Sequence, residues 1–244
     1  MALAEDASSP PVIASTSGGN PLITTTASFT PPAGSLLVAM AISGRSSSGL
    51  QTTITITSSP AQTWTAAANA QGAGADAGGT VQIAYTYLAS APGAMTVTAS
   101  MTNVSSGRSF LVKVITGAAV SQAGAGVNTR VQAIASTDGT LSVTTTAAGS
   151  LVYGASDAID GNSALTLNGA TTLLNDFSNA TQASRYTQWK SAAATVTPGA
   201  TTLGGTYAVA RKSSIAALEI LQIIPPPIGE WVLKQQAVNR SYFY

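Results

Sequence analysis

The sequence predicts an all-β protein. Its form is an antiparallel β-sandwich, jelly-roll-like, with two pseudo-repeated halves and extended N- and C-terminal arms. Three observations carry this. Large apolar residues alternate with small or polar ones in many short segments. Turn chemistry recurs every ten residues or so, as a sandwich requires. No long amphipathic helix pattern exists, and the Ala-rich stretches near 66–70 and 192–194 are short and flanked by Gly or Thr.

The strands follow in order. Leu36, Val38, Met40 and Ile42 alternate with Leu37, Ala39 and Ala41. Ile54 and Ile56 alternate with threonines, and Val81, Ile83, Tyr85 and Tyr87 with Gln82, Ala84 and Thr86. Phe110, Val112 and Val114 follow, then Leu141 and Val143, Leu151 and Tyr153, Leu165 and Leu167, Tyr207 and Val209, and finally Ala216, Leu218 and Ile220. Thr, Val, Ile and Tyr suit a pleated, half-buried surface. Pro31-Pro32-Ala33-Gly34, Ala91-Pro92-Gly93, Asp138-Gly139, Asp160-Gly161, Asn168-Gly169 and Pro198-Gly199 are the turns between them.

An internal repeat is visible. Ala33-Gly34-Ser35-Leu36-Leu37-Val38 resembles Ala148-Gly149-Ser150-Leu151-Val152-Tyr153, an offset of 115 residues (149 − 34). The segment from Ser109 to Ile115 resembles that from Ser214 to Ile220, an offset of 105 (214 − 109). The expected layout is an N-terminal arm over residues 1–21, one sandwich over 22–224 with pseudo-repeats at about 22–120 and 135–224, and a C-terminal arm over 225–244. Two such halves could be two domains, but the expected form is the two halves of one sandwich, as in a jelly roll of two Greek keys. The first arm carries Pro10 and Pro11. The second starts at Pro225, Pro226 and Pro227 and ends in Trp231, Tyr242, Phe243 and Tyr244. Aromatic residues beyond a stiff Pro run have no core of their own, so both arms are expected to make assembly contacts.

Composition narrows the function. Charged residues are 8% of the chain, against roughly 25% in an ordinary soluble protein. The net charge is +1, and the basic residues are scattered from Arg45 to Arg240, so no nucleic-acid footprint exists. A weakly charged surface favours association, and a homo-oligomer, trimer or ring, is expected. Cys and His are both absent, which removes disulfides, the commonest general base and the commonest metal ligand. No Ser-His-Asp or Cys-His arrangement is therefore available. No apolar run approaches the ~20 residues a spanning helix needs, so no membrane insertion is expected. The opening MALAEDASSPPV lacks a basic n-region and an apolar h-region, and synthesis in the cytoplasm without an export signal is the expectation.

The segment Phe29 to Val38, then Thr63-Trp64-Thr65, Val112 to Ala118, Gly149-Ser150-Leu151-Val152 and Ala216 to Ile220 together resemble the β-sandwich modules of actinobacteriophage minor tail proteins. The resemblance spans roughly residues 22–224. It implies a virion structural component, at a tail tip or fibre, whose partners are other virion proteins and which contacts the host surface. It implies no catalytic residue and no cofactor. A capsid decoration protein and a carbohydrate-binding module for bacterial envelope glycan are the alternatives.

Several residues invite a chemical reading beside a structural one. Asp157, Asp160 and Asp176 are the densest carboxylates of the second half, and paired carboxylates hydrolyse glycosides. Loop positions are the expected role, because Asp160-Gly161-Asn162 is a turn sequence. The stretch Asp157 to Asn162 offers oxygen ligands for Ca²⁺ but lacks the EF-hand pattern and its bidentate Glu, so no metal site is assigned. The Gly-rich segment Gln71 to Gly79 has no Lys-Ser/Thr after it and leads into a strand, so a hairpin tip is expected rather than a phosphate loop. Trp64, Tyr153, Tyr186, Trp189 and Tyr207 are candidate sugar-stacking rings. Trp64 is expected in the core, and Trp189, beside Arg185 and Lys190, is the expected exposed glycan contact.

Overall fold

The computed structural model describes residues 2–44, 52–72, 79–104, 107–159, 161, 163–180, 183–195 and 197–223. Fifteen strands run in chain order: β1 (Ala4–Glu5), β2 (Ile13–Ser15), β3 (Leu22–Thr25), β4 (Ser35–Ser43), β5 (Ile54–Ser59), β6 (Thr65–Gln71), β7 (Thr80–Leu88), β8 (Thr96–Met101), β9 (Arg108–Thr116), β10 (Val127–Thr145), β11 (Leu151–Ile159), β12 (Leu165–Leu167), β13 (Thr171–Asn179), β14 (Ser184–Ser191) and β15 (Gly199–Ile220). No α-helix occurs among the described residues, and every ladder is antiparallel.

The first half builds two sheets. The inner one has the order β1-β9-β4-β7-β6, with β2 also on β9, and the outer one has the order β3-β8-β5. Between them lie Leu37, Ala39, Ala41, Val97, Ala99, Met101, Phe110 and Val112. The second half builds one six-stranded sheet, β10-β15-β11-β14-β13 with β12 on β15. This sheet folds over itself. Leu203 packs in one cluster with Ile215 and Ala217 of the same strand. A straight strand rising about 3.3 Å per residue would hold them far apart. The first part of β15 pairs with the end of β10 and with β12, while its last part pairs with β11 and the start of β10. The register between β10 and β15 shifts between Gln132 and Ser136 and between Ser136 and Asp138, which is where the bend falls.

The ladders of the two halves can be compared position by position. Leu36 pairs with Ile115, and Leu151 pairs with Ile220, so the offsets are again 115 (151 − 36) and 105 (220 − 115). The order β9-β4-β7-β6 matches β15-β11-β14-β13. Register shifts fall at Ala66/Ala68 in β6 and at Leu173/Asn175 in β13, at a common offset of 107 (173 − 66). Each half enters its central strand through the same turn. Gly34 and Gly149 have φ of 75° and 78°, the left-handed region that glycine adopts without strain. The buried Ser35 hydroxyl then donates to the Pro32 carbonyl, and that of Ser150 to the Ala147 carbonyl, both at 2.8 Å.

The antiparallel sandwich class is the one the sequence predicts, but the strands do not join the two halves in one shared sandwich. Each half closes a two-layer unit of its own. Consecutive strands tend to neighbour one another in space, and here β9 returns to β4 and β15 to β11 within their own halves. Between the halves the pairing is confined to an isolated bridge, Ala118 with Gln222, among the described residues. The halves meet face to face instead. Leu36, Val38, Met40, Ile42, Ile83 and Leu111 pack against Tyr153, Ala155, Tyr186, Ala216, Leu218 and Ile220. Residues 1–21 are not a free arm along their whole length, since β1 and β2 pair with β9 and cover that edge. Pro10 is buried and Pro11 exposed.

Trp189 is fully buried, in the space between β11 and the folded-over part of β10 and β15. Its ring lies on Gly154, where a Cβ would stand only 2.0 Å from a ring carbon. Trp189→Ala is expected to lower stability by about 3–5 kcal/mol, read as a shifted denaturant midpoint.

Candidate functional site

The most unusual polar chemistry lies where the two halves meet. Glu5 reaches that junction because β1 is pinned in register on β9, with Ala4 opposite Thr116 and Glu5 opposite Ile115. Its carboxylate sits between the ammonium groups of Lys113, at 2.9 Å, and Lys190, at 2.7 Å. It also accepts a hydrogen bond from the Tyr153 hydroxyl at 3.1 Å. Lys113 belongs to the first half, and Lys190 and Tyr153 to the second, so one carboxylate from the N-terminal strand joins both. Burial pushes the Glu5 carboxyl up, but the hydrogen bonds from Lys190 and Lys113 outweigh it and leave it below the ordinary value. Burial, with the neighbouring Glu5 charge and hydrogen bond, pushes the Tyr153 phenol well above its usual range.

A neutral network lies on the same face. Gln188 donates to the Met40 carbonyl at 3.0 Å and accepts from the Ser109 hydroxyl at 2.9 Å and the Asn175 amide at 2.8 Å. These bonds satisfy groups that would otherwise be buried without partners.

Asp157 is also on this face, fully buried in β11. One carboxylate oxygen accepts from the Gly79 backbone N–H, and the other has no partner among the described residues. Burial raises its pKa from 3.8 to about 7, with the Gly79 bond opposing. The loop role expected for Asp157 is therefore corrected: it is a strand residue in a packed interface. Asp160 and Asn162 lie outside the described residues. Asp176 pairs with Arg185 on the neighbouring strand. Asp157 lies opposite Tyr186, whereas Asp176 lies opposite Thr187, and successive strand residues point to opposite faces. The two carboxylates do not converge. No group of three or more potential metal ligands occurs among the described residues.

The other expectations sort by burial. The glycan contact expected of Trp189 is overturned, because a ring at 0% exposure has no face to offer. Adjacent Lys190 made the site look exposed, but successive strand residues face opposite ways. Tyr153, Tyr186 and Tyr207 are buried too, Tyr186 stacked on Phe177 at 6.0 Å between centroids. Trp64 packs at the margin of the first core and remains partly exposed, its indole N–H donating to the Ser58 hydroxyl at 3.2 Å. Pro225, Pro226, Pro227, Trp231, Tyr242, Phe243 and Tyr244 lie outside the described residues, as do residues 73–78 of the Gly-rich segment.

One surface was missed from the sequence. β10 ends the order of its sheet, so one of its edges pairs with no described strand. Along it Val127, Val131 and Ile134 are exposed, Ile134 by 84%, and Val209 is exposed on β15. Arg130 is its one charged residue before Asp138, and it is bound to Asp138 itself. Natural edge strands are usually guarded by Lys, Pro or a cover, and the first eight residues of β10 have little of this. The signal was present as Val-Asn-Thr-Arg-Val-Gln-Ala-Ile, an alternation whose strand character was legible but whose edge position was not.

Comparison of the chain with protein-family models, with curated proteins and with solved structures found no match.

The junction groups give opposite pH dependences. Glu5 has a lowered folded pKa, so its contribution is present at neutral pH and is lost as pH falls through that value. Glu5→Gln is expected to lower stability at pH 7, and the gap to the wild type should close below about pH 4. Asp157 has a raised folded pKa, so the folded state holds the extra proton, and stability should fall as pH rises from about 4 to about 7. Asp157→Asn is expected to flatten that slope, measured by urea unfolding across the range.

Proposed function

We propose that the protein is a non-enzymatic structural subunit of a bacteriophage virion, at a tail tip or fibre, that works by associating with copies of itself and with other virion proteins. The observation that carries the assembly part is the exposed, nearly uncharged edge of β10. An edge of this kind adds strands from another chain, main chain to main chain. The composition supports it, since a chain with only 8% charged residues presents a surface that repels its neighbours weakly. The non-enzymatic part rests on the absence of His and Cys and on the separation of Asp157 from Asp176. The virion address rests on the resemblance to minor tail modules and on nothing else.

Sedimentation across a concentration series tests the assembly part. Association is expected, and Val131→Lys or Ile134→Lys should shift the protein toward monomer by placing a charge on the edge. A wild type that stays monomeric throughout, or oligomers indifferent to both substitutions, would remove β10 as the contact. Imaging of particles carrying a labelled copy tests the address: density at the tail supports it, and its absence from particles overturns it.

A further inference from the structure

The two sandwiches fill the space between their sheets differently. In the first, Ala39 of β4 lies opposite Ala84 of β7. The matching pair in the second is Gly154 of β11 opposite Trp189 of β14, at the offsets of 115 (154 − 39) and 105 (189 − 84) that also relate Leu36 to Leu151 and Ile115 to Ile220. The second half therefore has an indole where the first has a methyl group. Trp189 is wholly enclosed and closes its inter-sheet space. The first half keeps its tryptophan elsewhere, at Trp64 beside the start of β6, and the space opposite remains open.

That opening is a groove of about 230 Å³ between β5 and the β6-β7 edge. Ile54, Ile56, Trp64, Ala66, Gln82 and Ala84 line it. It is smaller than the ~300–1,000 Å³ of sites for drug-sized ligands, room for a single ring system. Ile56 and Ala84 are buried and form apolar walls. Trp64 stands partly exposed, and the bond from its indole N–H to Ser58 holds the ring in place. Gln82, only 6% exposed, brings an amide whose oxygen accepts from Asn69 at 3.4 Å. No charged side chain lines the groove.

We infer that this groove of the first sandwich, walled by Trp64 and Gln82, binds one ring of a neutral saccharide. The lining selects that chemistry. A phosphate or a carboxylate would find no cation, and an alkyl chain would cover the Gln82 amide without offering it a hydrogen bond. A pyranose presents C–H bonds on one face, polarised by its oxygens, which suit the negative face of an indole. Its hydroxyls then meet the Gln82 amide. An indole fixed beforehand loses little entropy on binding. The inference does not depend on the assembly reading, because binding is read on the isolated chain whatever its oligomeric state.

Saturation-transfer NMR on the full chain tests it, with methyl glycosides of glucose, galactose, mannose and N-acetylglucosamine at millimolar concentration. At least one should receive transfer. Trp64→Ala should weaken its binding about tenfold or more, and Ala84→Leu, which fills the groove while leaving Trp64 in place, should do the same. Trp189→Phe should leave binding unchanged. Each variant is compared at matched melting behaviour, and binding that persists in a folded Trp64→Ala or Ala84→Leu protein overturns the assignment. So does a wild type that takes up none of the four sugars, or one in which a hydrophobic peptide binds in their place.

Discussion

The packing of one four-stranded face on another holds the rest of the molecule in place. β4 lies in the middle of its sheet and is buried at all nine positions, with Leu37, Ala39 and Ala41 toward the outer sheet and Leu36, Val38, Met40 and Ile42 toward the second half. A strand buried on both faces has no solvent side on which to place charge, and β4 has none. Burial of apolar area of this kind is the dominant favourable term in folding. It also makes the two halves one body, although almost no backbone pairing joins them.

An apolar interface of this sort tolerates polar groups only where their partners are built in. Gln188 has three such partners drawn from both halves, and Glu5 has two ammonium groups and a phenol. Glu219 serves within the second half. It is buried on β15 and accepts from the backbone N–H groups of Gly126, Thr146 and Ala147. Burial pushes its carboxyl up, while the hydrogen bonds from those backbone groups hold it below the ordinary value. Asp157 is the contrast, more deeply enclosed and with a single N–H partner, and its carboxyl goes up instead. The balance between burial and the number of donors decides the direction.

The duplicated sandwich permits the halves to diverge. The first has a separate outer sheet of three strands, and the second makes the equivalent layer by bending β10 and β15 back over β11. The first leaves a groove at its open side, and the second closes the matching space with Trp189. The free edge of β10 and the groove beside Trp64 belong to different halves, so association and ligand binding need not compete for one surface.

Much of the fold was legible in the chain. The alternation of apolar residues located the strands, and Gly34-Ser35 and Gly149-Ser150 marked two matching strand entrances whose repeat offsets return in the pairing. The lack of His and Cys is a property of composition and needs no coordinates. A period of two shows that a strand has two different faces, but not what each face meets. That limit explains why Trp189 was expected outside and lies inside, why Asp157 was expected in a loop and lies in an interface, and why β10 could not be recognised as an edge. Which face meets another sheet, and which strand ends a sheet, are set by contacts between residues far apart in the chain, and only the tertiary structure decides them.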